Sequence, residues 1–286
     1  MAQRAGGNWE FTDDRDHLVR AARRPSRLVA YVPTGAALHD HGIRPVGIFG
    51  SAHDDPALPD PAKTGSLPLT ALPYFGAGPA LDLDALLAAR PDLVVALTYG
   101  GGQVYGIDPE AAKHLEEQVP LVVLDVGGGR SLTGIRDRLT ALARSLGAAP
   151  DSAADAELTA AERRLTAAAG PVRPRVLALS PAGPDSVHLA RPYAWPDLAA
   201  LAGFGVGLVD PAPGQGANWA TTTWAEAAAL EPDLVLTDVR GNAAPLGDAL
   251  GPHVPTLSWN PELPPSAREH ARFHTAVAEA LEAVRP

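Results

Sequence analysis

One short phrase is written into this chain twice, and it narrows the folds available. Leu86 to Leu97 reads LLAARPDLVVAL, and Ala228 to Asp238 reads AALEPDLVLTD. Each copy ends an Ala/Leu helix, breaks it at Pro-Asp and enters a run rich in Leu and Val. Proline cannot continue a helix, and the residue before it is pushed out of the α region. An apolar run without alternation suits a parallel strand buried on both faces. The phrase therefore predicts two α/β units built to one plan, an architecture suited to holding a ligand.

Composition excludes several function classes. The chain has 286 residues and is 46% hydrophobic, enough for two lobes of ordinary domain size. Its 23 basic side chains are outnumbered by 33 acidic ones, for a net charge of -10. Such a balance does not suit nucleic acid, whose backbone calls for clustered Lys and Arg, and the only lysines are Lys63 and Lys113. No apolar stretch has the roughly 20 residues that a membrane-spanning helix needs. The absence of cysteine excludes disulfides, thiolate metal sites and cysteine nucleophiles. The opening MAQRAGGNWEF lacks the apolar core of a secretion signal. Two localisations stay open: an extracytoplasmic lipoprotein whose leader and anchoring cysteine are absent from this chain, or a cytoplasmic protein.

Alternating helix and strand patterns lay out the rest. Residues 1–25 read as a tail with a short hairpin, Trp9–Thr12 and Leu18–Arg20 flanking the polar turn Asp13–Asp16. A first lobe spans 26–148. Its strands are expected at Arg27–Val32, Val46–Phe49, Leu93–Leu97 and Leu121–Asp125. Its helices are expected at Ala36–His41, Leu81–Ala89, Pro109–Gln118 and Ser131–Leu146. Ala52–Tyr74, polar and rich in Pro and Gly, reads as a surface loop. The long helix Ser152–Ala168, within a connector over 149–171, meets the stop signal Gly170-Pro171. A second lobe spans 172–286, with strands at Arg175–Leu179, near Gly207–Val209, Leu234–Thr237 and Thr256–Trp259. Its helices are expected at Ala194–Leu201, Trp224–Leu230 and Ser266–Val284. The fold class is α/β: two similar lobes with parallel-type central sheets, joined by one long helix, with a ligand cleft between them.

The few aromatic residues, 5% of the chain, are unevenly placed. Tyr31 and Phe49 close the first two strands, and Tyr99 follows the third. Tyr193 and Trp195 follow the first strand of the second lobe by a loop. Trp219 and Trp224 precede a helix, and Trp259 closes the last strand. Ligands in open α/β sheets bind outside the carboxyl ends of the strands, so most of these rings are expected at one rim. Aromatic walls bury apolar ligand surface with little loss of side-chain freedom. Arg191, in LARPYAW, and Arg240, after LVLTDVR, add planar donor forks suited to carboxylate or hydroxamate oxygens.

At this point the pattern resembles a family: the substrate-binding proteins of ABC importers for ferric siderophores, cobalamin and haem. The matching pieces run over nearly the whole chain. They are WEFTDDRD, RRPSRLVAY, HDHGIRPVGIFG, LDLDALLAARPDLVVAL, VPLVVLDV, the long connector and LEPDLVLTD. Within the family the pattern is similar to actinobacterial ferric-siderophore binders, often hydroxamate binders. The resemblance implies two lobes on one rigid helix and a shallow cleft. By position it implies ligand contacts from Tyr31, Phe49 and Tyr99 in the first lobe. From the second lobe it implies Arg191, Tyr193, Trp195, Trp219, Trp224, Arg240 and Trp259, the last matching a tryptophan that hydroxamate binders tend to carry. It also implies one acidic permease contact per lobe, Asp84 and Glu226, although Asp84 stands where the family usually has Glu.

No catalytic or metal constellation emerges. His39 and His41 flank Asp40 but do not share a helix face. Gly100-Gly101-Gly102 and Gly127-Gly128-Gly129 follow strands, where glycine lets backbone approach a ligand, yet neither run carries a phosphate-loop Lys. Asp82 and Asp84 do not face each other. The reading is a non-enzymatic receptor, monomeric, without cofactor or nucleic-acid partner, that captures a ferric siderophore and passes it to an ABC permease. The iron arrives inside the ligand. Two other readings stay open: a recruited cytosolic enzyme or biosynthetic accessory protein, and a cobalamin or haem binder with Tyr31, Tyr99 or His188 at the metal.

Overall fold

The structure, a computed structural model, describes residues 8–127, 129–171, 173–247, 250–251 and 254–284. The first seven residues of the expected tail, and Gly128 of the second glycine run, lie outside that range. The described residues fall into two compact units. One is drawn from Met1–Gly127, Thr133–Asp151 and Pro264–Ser266, the other from Gly128–Leu132, Ser152–Leu263 and Ala267–Pro286.

The first unit opens with an antiparallel hairpin, β1 (Trp9–Thr12) and β2 (Leu18–Ala21). Then come β3 (Leu28–Tyr31), α1 (Val32–Asp40), β4 (Gly47–Gly50), β5 (Tyr74–Ala77), α2 (Leu83–Ala88), β6 (Leu93–Thr98), α3 (Pro109–Gln118), β7 (Leu121–Asp125) and α4 (Leu132–Ser145). Five of these strands form an all-parallel sheet in the order β5-β4-β3-β6-β7. Every residue of β3 and β6 is buried, as a strand covered on both faces requires. The hairpin turn closes the β7 edge. Val123 N–H donates to Asp13 Oδ2 at 3.1 Å, and Asp125 N–H donates to Asp14 Oδ2 at 2.8 Å. An edge strand left bare would be a template for foreign pairing.

Two expectations for this unit are corrected. Helix α1 begins at Val32, four residues before the expected start, although Val-Pro-Thr-Gly is a poor helix sequence. Pro33 falls in the first turn, where its missing N–H costs nothing, and the helix is buried from Val32 to Leu38. Packing overrides propensity here. The segment 52–74 is also more than a surface loop. It contains the 3-10 turns Pro61–Lys63 and Leu69–Ala71, and it buries Asp60, Lys63, Thr64 and Leu67.

The second unit runs α5 (Ser152–Ala169), β8 (Arg175–Pro181), β9 (Val187–Ala190), α6 (Pro196–Gly203), β10 (Gly207–Leu208), β11 (Trp219–Thr222), α7 (Trp224–Ala228), β12 (Leu234–Asp238), β13 (Thr256–Trp259) and α8 (Ala267–Ala283). Its sheet runs β11-β9-β8-β12-β13, with β10 beside the start of β8. β8, β10, β12 and β13 pair in parallel, but β9 pairs antiparallel with both β8 and β11, so this sheet is mixed rather than parallel throughout. Strand β8 is long enough to pair with β10 at its start and with β9 at its end. Trp219, expected ahead of a helix, therefore stands in an edge strand. Helices α5 and α8 pack along an alanine-rich seam of Ala154, Leu158, Ala161, Ala267 and Ala271. Arg164 bridges across it to Glu279 and Glu282.

The repeated phrase is repeated in three dimensions. Arg90 and Glu231, each just before the proline, both take the left-handed conformation, at φ 50° and φ 47°. They turn the chain off α2 and α7 and into β6 and β12. The aspartate after each proline then pins the neighbouring strand. Asp92 Oδ1 accepts Arg27 N–H at 2.7 Å, and Asp233 Oδ2 accepts Arg175 N–H at 2.7 Å. Each of those arginines returns its guanidinium to helix-end carbonyls: Arg27 to Ala89 and Arg90, Arg175 to Leu230. Those are the carbonyls a helix leaves unbonded at its C-terminus. One Arg-Asp device thus sets the register of the central strands in both units.

Candidate functional site

In the first unit four aromatic rings form a ladder at the carboxyl ends of β3, β4 and β6. Phe49 meets Tyr31 at 5.9 Å between centroids, Tyr31 meets Tyr105 at 5.7 Å, and Tyr105 meets Tyr99 at 4.6 Å. Exposure grades along it. Phe49 and Tyr31 are fully buried, Tyr105 is half-buried and Tyr99 is 38% exposed. Tyr31 and Phe49 thus back the rim in this structure, while Tyr99 and Tyr105 present surface. Tyr105 was missing from the sequence reading. The signal was there in TYGGGQVYG, an aromatic on each side of a glycine run. Those glycines serve the turn itself: Gly100, Gly101 and Gly102 all have φ between 71° and 98°. Gly127 serves close approach of a different kind from the one expected. A Cβ there would lie 2.5 Å from the carbonyl carbon of Tyr99, so the contact is with the chain's own backbone.

In the second unit three indoles cluster. Trp195 lies 4.9 Å from Trp219 and 5.7 Å from Trp259, and Trp219 lies 5.9 Å from Trp259. Trp219 is half-buried, with His188 at 6.2 Å from its ring. Trp195 and Trp259 are buried, and each buried N–H has an acceptor, as buried indoles usually do. Trp195 Nε1 donates to the Asn218 carbonyl at 3.1 Å, and Trp259 Nε1 donates to Asp197 Oδ2 at 2.5 Å. Tyr193, in the 3-10 turn Pro192–Ala194, is 74% exposed. Trp224 belongs to a separate apolar cluster and donates Nε1 to the Gly183 carbonyl. It borders a cavity of about 380 Å³ lined also by Pro184, Pro245 and Leu246.

The two arginines expected to act alike are held differently. Arg240 is bridged to Asp238 at 2.8 Å and to Glu262 at 2.9 Å, and its side chain is only 10% exposed. Burial works to lower its pKa, but the two carboxylates hold it above the usual arginine range. Its fork is engaged by internal carboxylates. Arg191 instead donates to carbonyl oxygens of the loop before β11: Nε to Gly216 at 3.0 Å and Nη1 to Ala212 at 3.3 Å. Its Nη2 is buried and donates to no group among the described residues. Asp197 is pushed up to about 6 by burial, against the opposing hydrogen bonds from Trp259 and the backbone and the charge of Arg240.

Asp84 and Glu226 are both exposed, in the first turns of α2 and α7. Glu226 closes a capping box: Thr223 Oγ1 accepts its N–H, and its Oε2 accepts from Thr223 N–H and from the Thr222 hydroxyl. The Thr222 bond, with those from Thr223, holds its pKa below the usual glutamate value. Elsewhere, His188 Nδ1 is 2.8 Å from Thr221 Oγ1, and His39 Nδ1 is 2.9 Å from Ser66 Oγ. Among the described residues no cluster of three or more His, Asp or Glu side chains is arranged to hold a metal. No helix there is long and apolar enough to cross a membrane.

No family model and no curated protein matches the chain. Solved structures do. DesE, a ferric-siderophore receptor protein from Streptomyces coelicolor, superposes with a TM-score of 0.86 at 26% identity, over 96% of this chain and 98% of that one. The siderophore-binding protein FhuD from Vibrio cholerae, solved with Fe3+-Desferal, gives 0.62 at 16% identity over 91% and 99%. The haem-binding protein RhuT from Roseiflexus sp. RS-1 gives 0.66 at 18% identity over 91% and 98%. The last two share the fold alone. The chain is therefore similar over nearly its whole length to a ferric-siderophore receptor protein, and it shares its fold with siderophore- and haem-binding proteins.

Proposed function

We propose that this protein is a non-enzymatic receptor for a ferric siderophore of hydroxamate type, which it delivers to an ABC permease. The observation that carries the reading is the full-length likeness to a ferric-siderophore receptor. The aromatic ladder at the carboxyl ends of β3, β4 and β6 and the indole cluster of the second unit support it. Exposed and half-buried rings, Tyr99, Tyr105, Trp219 and Tyr193, offer apolar faces to the methylene spacers of such a ligand. Arg191 is the better placed of the two arginines to meet ligand oxygens, because Arg240 already carries two carboxylates. The ligand's own oxygens satisfy the iron, so the receptor needs no metal-binding side chain. Asp84 and Glu226 are the proposed permease contacts, and the native setting is extracytoplasmic, on a lipid anchor, as a monomer.

The test is titration of the purified protein with iron(III) Desferal, with haem and cobalamin in parallel, followed by tryptophan quenching and native mass spectrometry. A one-to-one adduct with the hydroxamate complex and quenching at micromolar protein is the expected result. A Soret shift with haem and no hydroxamate adduct would overturn the ligand class. No adduct with any of the three would overturn the receptor reading.

A further inference from the structure

Asp197 is a carboxylate where none was expected to matter. It sits in the first turn of α6, two residues beyond Trp195, and is 6% exposed. A buried carboxylate is costly unless its oxygens are satisfied. Its Oδ2 accepts the indole N–H of Trp259, which closes β13 on the far side of the tryptophan cluster. The backbone N–H groups of Asp197 and Leu198 also point to it. One side chain thus ties the turn that carries Trp195 to the strand end that carries Trp259. The third indole, Trp219, touches both. The nearby positive charge, Arg240, is already matched by Asp238 and Glu262. The bond that Asp197 makes with distinct consequence is therefore the one to the indole.

We infer that Asp197 is a positioning residue for ligand capture: by holding Trp259 Nε1 it fixes the mutual orientation of Trp195, Trp219 and Trp259, and so the face that Trp219 offers to ligand. This rests on the receptor reading above for its ligand. Its effect on the indoles does not. An aspartate that merely filled space would be replaceable by an isosteric apolar residue without changing how the rings stand. An orienting aspartate would be replaceable only by a side chain that keeps the acceptor.

The experiment uses the full chain with Asp197→Asn, Asp197→Leu, Trp259→Phe and the Asp197→Leu/Trp259→Phe double variant. Asparagine keeps an oxygen for the indole, and leucine removes it. Affinity for iron(III) Desferal should fall at least tenfold in Asp197→Leu and less than threefold in Asp197→Asn. In the Trp259→Phe background, Asp197→Leu should change affinity less than twofold, because the bond it breaks is already gone. Near-ultraviolet circular dichroism of the ligand-free proteins should show the same pattern while far-ultraviolet spectra stay unchanged. Independent, multiplying effects of the two substitutions overturn the inference, as does a tenfold loss in Asp197→Asn. If wild type binds no ligand, the receptor reading fails, and the dichroism series alone decides whether Asp197 orients the cluster.

Discussion

Lys63 offers a sharp test of how the first unit supports its rim. Its Nζ lies 2.5 Å from Asp54 Oδ1, and the two side chains are 1% and 2% exposed. Asp54 is fixed further by Ser51, whose N–H donates at 2.7 Å and whose hydroxyl donates at 3.1 Å. Ser51 in turn abuts the turn that carries Tyr105: a Cβ on Gly106 would come within 2.9 Å of Ser51 Cα. The ion pair therefore sits at the base of one aromatic support. Replacing Lys63 by Met leaves a desolvated carboxylate without this counter-charge, and such losses cost about 3–5 kcal/mol. Asp54→Asn should also destabilise the unit, because it takes this counter-charge away from a buried ammonium. The double variant Lys63→Met/Asp54→Asn should recover a large part, since removing both partners spares the uncompensated charge. Urea unfolding supplies the free energies, and hydrogen exchange of peptides from 51–74 should quicken in each single variant. Two single variants that each cost under 1 kcal/mol, or a double variant as costly as their sum, would refute the argument.

Two further outcomes follow from the same physics. Burial raises the Asp197 carboxyl from 3.8 to about 6, so the folded protein holds that proton more tightly than the unfolded chain. The stability this gives is full below the unfolded pKa and is lost as pH rises through the folded one. About 1.5 kcal/mol should go between pH 5 and pH 8 in wild type relative to Asp197→Asn, and a flat difference by urea unfolding would remove the assignment. Asp92→Ala and Asp233→Ala should each cost about 1–2 kcal/mol, the scale of losing a carboxylate cap on backbone N–H groups. Closely matched losses are expected, and a neutral result in one unit would mean that the repeated device has lost its role there.

The legible part of the fold was the part written by burial and chain-breaking residues. Helix α3, strand β7 and strand β13 fall where Pro109, the run LVVLD and TLSW put them. The missed strands lack those marks. β5 is Tyr-Phe-Gly-Ala, with Gly76 at φ 87°, and follows a Pro-rich segment. β9 and β11 are four residues each, mixed in polarity, and pair antiparallel with each other through long-range register alone. Nothing local distinguishes WATT from a loop. Nor does local sequence show that the residue before Pro91 or Pro232 turns left-handed rather than extended. The Arg27–Asp92 and Arg175–Asp233 bonds that accompany each turn join residues far apart in the chain, where local sequence cannot show them.

The candidate site was legible in residue type but not in depth or charge state. Aromatic residues at strand ends were visible, yet the sequence treats Tyr31 and Tyr99 as equivalents, whereas one is enclosed and the other stands 38% exposed. Tyr31 belongs to a strand buried throughout, and Tyr105 stands edge-on to both rings. The arginines make the same point in electrostatic terms. Arg191 and Arg240 both follow strands and both read as anion forks. What separates them is the company each keeps: Glu262, 22 residues on from Arg240, completes a two-carboxylate clamp, while the carbonyls of Ala212 and Gly216 leave Arg191 its full charge. A guanidinium already matched by two carboxylates has little attraction left for a ligand oxygen, so the proposed site leans on Arg191.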